Sequence, residues 1–293
     1  MDIGVTVSSR QLYLDLIKRS LTDLIYIDHP LAQYHLYRPK SGTPRWKRRV
    51  AAGLEKALLR YRIRLVEPFG PELWAEISTT HLQEQRVEGR GWPARAHTMI
   101  GMKALDSLQH CVETVLREGI PGDLIETGVW RGGACILMRA VLEAYGDADR
   151  IVWAADSFSG LPPPSEEYPA DAGDVFHAYD EMKVSLPEVR TNFARYGLLD
   201  DQVRFLQGWF KDTLPVAPIE RLAVLRLDGD MYESTIQVLD ALYGKLSPGG
   251  FVIVDDYWLK PCASAIHDFR AAHGIGDELL DINGRAAYWR RSR

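Results

Sequence analysis

LAVLRLDGDMYESTIQVLDALYGKLSPGGFVIVDDY, residues 222–257, decides the fold of this chain. The runs 222–227 and 251–254 are short, rich in branched apolar residues and bounded by turn residues, the pattern of strands buried on both faces of a parallel sheet. A helical stretch, residues 232–246, lies between them and is closed by Pro248-Gly249-Gly250, which reads as a turn. Strand, helix, strand is the repeating unit of an α/β fold. Each strand ends in carboxylates: Asp228 and Asp230 after the first, Asp255 and Asp256 after the second. In an open α/β sheet the carboxyl ends of the strands line the ligand crevice. If the two strands are neighbours, three or four carboxylates converge there. Unpaired anions do not gather at a buried edge without a cation. The ligand atoms on offer are all oxygen, which points to a hard divalent ion, Mg²⁺ or a relative. Asp230 either orients a metal-bound water or caps the helix starting at Met231, and the cap is the favoured reading.

Working back from this stretch, residues 97–116 carry Met99, Ile100, Met102, Leu105, Leu108, Cys111, Val112, Val115 and Leu116, the spacing of a helix with a core-facing side. Residues 123–127 then form a strand, followed by Gly128-Val-Trp-Arg-Gly-Gly-Ala and a helix through Leu142. Strand, glycine turn, helix is the nucleotide-binding opening of a doubly wound fold. The glycines fall at 128, 132 and 133, which departs from the G-x-G-x-x-G of dinucleotide binders. Glu126, at the strand end, repels a pyrophosphate but accepts from an ammonium. That points to S-adenosylmethionine, whose amino-acid tail is zwitterionic and which has no phosphates.

The next strand, 150–156, ends in Asp156, placed to hydrogen-bond ribose hydroxyls. With Ser157 it alternatively caps a helix. A third strand, 202–207, leads into Gly208-Trp209-Phe210, whose aromatics either flank an adenine ring or fill the core. Residues 159–174 are rich in proline and acid and read as a surface loop over the site, a substrate lid. His177 follows it. Near the C-terminus, residues 279–282 and 285–289 flank Asn283-Gly284, a strong hairpin signal. The layout predicts an α/β fold: a Rossmann-like class I methyltransferase sheet, mostly parallel, with a C-terminal antiparallel hairpin and a helical N-terminal arm.

That arm, residues 1–95, precedes a catalytic domain at 96–293. Residues 11–27 show helical spacing at Leu12, Leu16, Ile17, Leu21, Leu24 and Ile25. Residues 38–64 hold ten Lys or Arg against one acid and keep an apolar stripe, a basic amphipathic helix. Such a helix contacts an acidic partner or a membrane surface, or packs its stripe on the body; the packing reading is favoured. Residues 67–93 read as a helix followed by a mobile loop. The net charge of −5 argues against a general nucleic-acid binder. No apolar run reaches transmembrane length. The three cysteines are widely spaced, with no CxxC and no zinc pattern, and suit a reducing cytoplasm.

Taken in order, HTMIG (97–101), PGDLIETGVWRGGACI (121–136), DRIVWAADSF (149–158), NFARYGLLDDQVRFLQGWFKDTLP (192–215), RLDGDMYEST (226–235), LSPGGFVIVDDY (246–257) and AAYWRR (286–291) resemble the macrocin O-methyltransferase family. The resemblance implies Mg²⁺-dependent methyl transfer from S-adenosylmethionine to a sugar or phenolic hydroxyl of an antibiotic, in a homodimer. It implies Mg²⁺ ligands at Asp228, Asp255 and Asp256, with Asp228 also the base; His97 and His177 are the reserve candidates for the base on chemical grounds. Cofactor contacts are expected at Thr98, Met99, Glu126, Thr127, Gly128, Asp156, Ser157, Gly208, Trp209 and Asp228. Residues 30–95 look longer and more basic than the family pattern, and the lid 159–185 is not a close match, so the acceptor stays open. A catechol-type methyltransferase is the nearest rival. An NAD-dependent dehydrogenase on the same sheet is disfavoured by the missing G-x-G-x-x-G and by the Asp255-Asp256 pair. A non-catalytic scaffold has no need of three carboxylates at two strand ends.

Overall fold

The computed structural model describes residues 7–25, 79–90, 93 and 95–292. The basic helix expected at 38–64 lies outside the described residues. The elements run α1 (Ser9–Leu21), α2 (Thr79–Glu88), α3 (Gly101–Arg117), β1 (Asp123–Thr127), α4 (Gly133–Tyr145), β2 (Val152–Asp156), α5 (Leu186–Arg195) and β3 (Val203–Gln207). They continue with a one-turn α6 (Phe210–Thr213), β4 (Leu222–Leu227), α7 (Tyr232–Leu242), β5 (Leu246–Val254), α8 (Lys260–Ala272), β6 (Leu280–Asp281) and β7 (Ala287–Arg290). The strands form one sheet in the order β3-β2-β1-β4-β5-β7-β6. The pairs from β3 to β5 are parallel, and β7 runs antiparallel to both β5 and β6.

Alternation along the strands sends side chains to opposite faces, and helices cover both. Leu124, Val152, Ala154 and Ile253 join α1, α3, α4 and α5 in one core. Ile125, Trp153, Ala155, Leu225 and Val252 join α7 and α8 in the other. The hairpin at Asn283-Gly284 is closed by its own side chains. Asn283 accepts from the backbone N–H of Arg285 and Ala286 at 3.1 and 3.0 Å, and Asp281 accepts from Gly284.

Two elements differ from expectation. Pro248-Gly249-Gly250 is not a turn between elements but an irregular start to β5, where the register with β4 shifts and Gly249 takes φ +84°. Helix α1 buries Leu14, Ile17 and Leu21 against α3 and α4, whereas Leu12 and Leu16, assigned to its apolar stripe, are exposed.

Candidate active site

The carboxyl ends of the strands open into a cavity of about 650 Å³. Across the sheet they present, in order, Gly208 and Trp209 after β3, Asp156 and Ser157 after β2, Glu126 and Gly128 at β1, Asp228 after β4, and Asp255 and Asp256 after β5. All of these line the cavity, together with Thr98 and Met99. Thr127 does not. It is buried and its hydroxyl donates to the Arg226 carbonyl at 3.2 Å, because alternation turns it away from the crevice.

The glycine turn brings the two halves of the site into contact. Gly128 has φ +93°, and a Cβ there would lie 1.7 Å from the Asp228 carbonyl oxygen. Only glycine lets the β1 turn abut the β4 end so closely. A Cβ on Gly133 would meet the His97 carbonyl oxygen at 2.5 Å, and that oxygen accepts from the Gly133 N–H at 3.0 Å. This docks residues 97–99 beside the turn. His97 lines the cavity, with its Nδ1 2.9 Å from the Tyr196 hydroxyl, and burial and the nearby Arg195 and Arg131 lower its pKa. His177 does not line the cavity.

Asp156 accepts from the backbone N–H groups of Val129 and Phe158, both at 2.7 Å. These donors belong to the glycine turn and to its own loop, so Asp156 is not a helix cap. Burial raises its pKa, against the opposing pull of those N–H groups. Trp209 is exposed on the cavity wall rather than packed in the core, while Phe210 both lines the cavity and packs on the lower core. Glu126 is buried, with one oxygen bonded to Arg226 and the other accepting from the Cys135 N–H at 3.1 Å and its thiol at 2.9 Å. Burial, and then Arg226 acting in the opposite sense, leave its carboxyl raised to about 7. An acid in β1, an acid closing β2 and an open aromatic after β3 thus share one cavity of a size that takes a nucleoside-bearing ligand.

Asp228, Asp255 and Asp256 bring ligand oxygens within 4.8 Å of one another. The cation that such a cluster requires is supplied in part by the chain itself. Arg226, fully buried in β4, bonds Glu126 and Asp228 through Nη1 (2.7 Å to Asp228) and Asp255 through Nη2 at 2.6 Å. One guanidinium does not balance this many carboxylates. Burial and the repulsion from Asp228 push Asp255 up to about 7. Burial, Asp228 and Asp255 push Asp230 up to about 8. Asp256 is driven up by burial and by its three acidic neighbours. Converging oxygens with unmatched negative charge fit a hard divalent cation.

Asp230 is not the cap of α7. It takes φ +58° and donates its backbone N–H to Asp256 at 3.0 Å. The first N–H groups of α7 are capped instead by Asp171 of the lid, which accepts from Tyr232 at 2.7 Å and Glu233 at 2.9 Å. Among the described residues, Asp171, Arg226, Trp258 and Arg285 are at or beside the site and are left unread by the sequence alone. Only Arg226 carries a local signal, a lone cation inside an apolar strand.

A family model described as macrocin-O-methyltransferase (TylF) matches residues 10–291. The chain belongs to this family. It is an S-adenosylmethionine-dependent O-methyltransferase. The match runs through residues 30–95, so that segment is not foreign to the family. The methyltransferase is 57% identical over 215 residues to mycinamicin III 3''-O-methyltransferase of Micromonospora griseorubida, covering 72% of this chain and 85% of that one. It is 48% identical over 290 residues to the 8-demethyl-8-(2,3-dimethoxy-alpha-L-rhamnosyl)-tetracenomycin-C 4'-O-methyltransferase of Streptomyces olivaceus, covering 98% and 95%. It is 54% identical over 230 residues to demethyldecarbamoylnovobiocin O-methyltransferase of Streptomyces niveus, covering 78% and 88%. Among solved structures it superimposes on the O-methyltransferase NovP with a TM-score of 0.78 at 46% identity, covering 97% of this chain and all of that one.

Proposed function

We propose that this methyltransferase acts on a hydroxyl of a sugar carried by a glycosylated natural product, in secondary metabolism, with Mg²⁺ held by Asp228, Asp255 and Asp256. The observation that carries the reading is the convergence of these three carboxylates in the same cavity as the cofactor-facing strand ends. When bound, S-adenosylmethionine supplies an electrophilic methyl on sulfur, and the divalent cation lowers the cost of removing the proton from the hydroxyl. The chain does the positioning. Gly128 sets the cofactor turn directly against Asp228, so donor and acceptor sites share a wall. Arg226 holds one oxygen of Asp228 at 2.7 Å; the other would ligate the cation and, when released from it, take the hydroxyl proton. Asp255 and Asp256 line the cavity beside it, and a hydroxyl held at the cluster would need to lie in line with the methyl for transfer. The lid, residues 159–185, is tied down beside the cavity by Asp171 and by the Trp130 indole N–H, which donates to the Glu181 carbonyl at 2.9 Å.

The acceptors named for the relatives support a glycoside: one is a rhamnosyl tetracenomycin methylated at its 4' oxygen. The same proposal takes the enzyme as a homodimer, with residues 1–95 an arm and 96–293 the methyltransferase domain. It also places the enzyme in the cytoplasm, to which three buried, unpaired cysteines are suited. No described helix is long and apolar enough to cross a membrane. The test is an acceptor screen with labelled S-adenosylmethionine, offering mycinamicin III, the dimethoxyrhamnosyl tetracenomycin, demethyldecarbamoylnovobiocin and simple catechols. Transfer to a glycoside supports the reading, and transfer to catechols alone refutes it.

A further inference from the structure

The order of groups along the sheet edge leaves one side of the cavity unassigned. Cofactor-facing residues follow β3, β2 and β1, and the carboxylate cluster follows β4 and β5. Beyond the cluster, where β5 meets β7, the cavity is lined by Trp258 and Arg285. Trp258 lies two residues after Asp256, so their Cα atoms are no more than about 7.6 Å apart. Its backbone is held from both sides. Its N–H donates to the Arg285 carbonyl at 2.9 Å, and the Leu259 N–H donates to the Asp256 carbonyl at 2.8 Å, closing a turn around it. The Arg285 guanidinium sits over the indole at 4.4 Å from the ring centroid. Even so, the side chain is 50% exposed. A rigidly held indole left half in water beside a reaction centre forgoes the burial it would otherwise gain.

We infer that Trp258, backed by Arg285, is the platform on which the acceptor sugar lays the C–H face of its ring. The inference rests on the glycoside reading of the acceptor. Three features favour it. The residues proposed for the cofactor lie toward the opposite end of the row, which leaves this end to the acceptor. Trp258 follows Asp256 by two residues and lines the same cavity, so a ring seated on it lies next to the carboxylate cluster. The guanidinium over the indole fixes its orientation and makes it a flat, pre-organised surface. Trp258 thereby sets which sugar hydroxyl is presented, while Asp228, Asp255 and Asp256 act on whichever is presented.

The test compares full-length wild type, Trp258→Ala and Trp258→Phe with saturating S-adenosylmethionine and Mg²⁺, on the acceptors above. Trp258→Ala is expected to raise the acceptor KM about tenfold or more, and Trp258→Phe about threefold or less, as loss and retention of a stacking surface dictate. The KM for S-adenosylmethionine, calorimetric binding of S-adenosylhomocysteine and the melting temperature stay close to wild type in both. An unchanged acceptor KM in Trp258→Ala overturns the platform. So does an equal loss of S-adenosylhomocysteine binding, which would mark a general structural role. Wild-type methylation of catechols and of no glycoside overturns both the glycoside reading and the sugar platform. Methylation of a glycoside with no change in Trp258→Ala overturns the platform alone.

Discussion

Replacing Asp171 by alanine separates the lid from the helix beneath it. Asp171 is 1% exposed, although most of residues 159–174 face solvent. Its carboxylate takes two successive N–H groups of α7, at 2.7 and 2.9 Å, and that helix has no side-chain cap of its own at Met231. Loss of an N-cap costs about 1–2 kcal/mol. Loss of a buried negative charge at the helix N-terminus adds roughly 0.5–1 kcal/mol. The sum, about 1.5–3 kcal/mol, corresponds to a fall in Tm of roughly 3–12 °C for a domain of this size. Asp171→Asn keeps one acceptor oxygen and loses the charge, so its fall is about half as large. Thermal melting measures this, and limited proteolysis measures release of the lid: cleavage within 159–174 accelerates in Asp171→Ala and less so in Asp171→Asn. The first turns of α7 also carry Glu233, Ser234 and Gln237, which line the cavity, so the acceptor KM rises with the loss of order. An Asp171→Ala protein with wild-type melting and wild-type cleavage would refute the tether.

Two further outcomes follow from the cluster. Asp228→Asn abolishes turnover, by about a thousandfold or more for loss of a base that also binds the metal, yet leaves S-adenosylmethionine binding largely intact; near-normal turnover would sink the metal-site reading. The pH dependence of metal-free stability is set by the raised carboxyls of the cluster, Asp255 and Glu126 at about 7, Asp230 at about 8, and Asp256 raised as well. An acid whose folded pKa is raised binds its proton more tightly when folded, so its stability is full at low pH and is lost as pH rises through the folded value. Metal-free protein therefore melts lower at pH 8.5 than at pH 6, and Mg²⁺ restores more of the Tm at pH 8.5, where the carboxylates are ionised. Equal Mg²⁺ shifts at the two pH values would contradict this.

The sheet was legible because its information is local. Two branched apolar runs ending in acids, with a helix between them, mark parallel strands, and their pairing, Leu227 opposite Val254, places Asp228 beside Asp255. Asn283-Gly284 likewise carries its own hairpin. What stayed hidden depends on contacts distant in sequence. Asp171 caps a helix 61 residues away. Arg226 meets Glu126 only once β1 and β4 are neighbours, so the demand for a counter-charge looked larger than it is. The buried face of α1 is chosen by α3 and α4, not by its own spacing, which left Leu12 and Leu16 outside. Asp230 sits next to the helix it was expected to cap, but its left-handed backbone turns its N–H toward Asp256 instead.

The claim that Asp228, Asp255 and Asp256 hold a divalent cation needed for methyl transfer is tested most directly by chelation. Labelled methyl transfer to a glycoside acceptor is measured after EDTA treatment and again after titration with Mg²⁺. Transfer should fall to background with EDTA and return with Mg²⁺ in the wild type, and not return in Asp256→Asn. Full transfer in the presence of excess EDTA would contradict it.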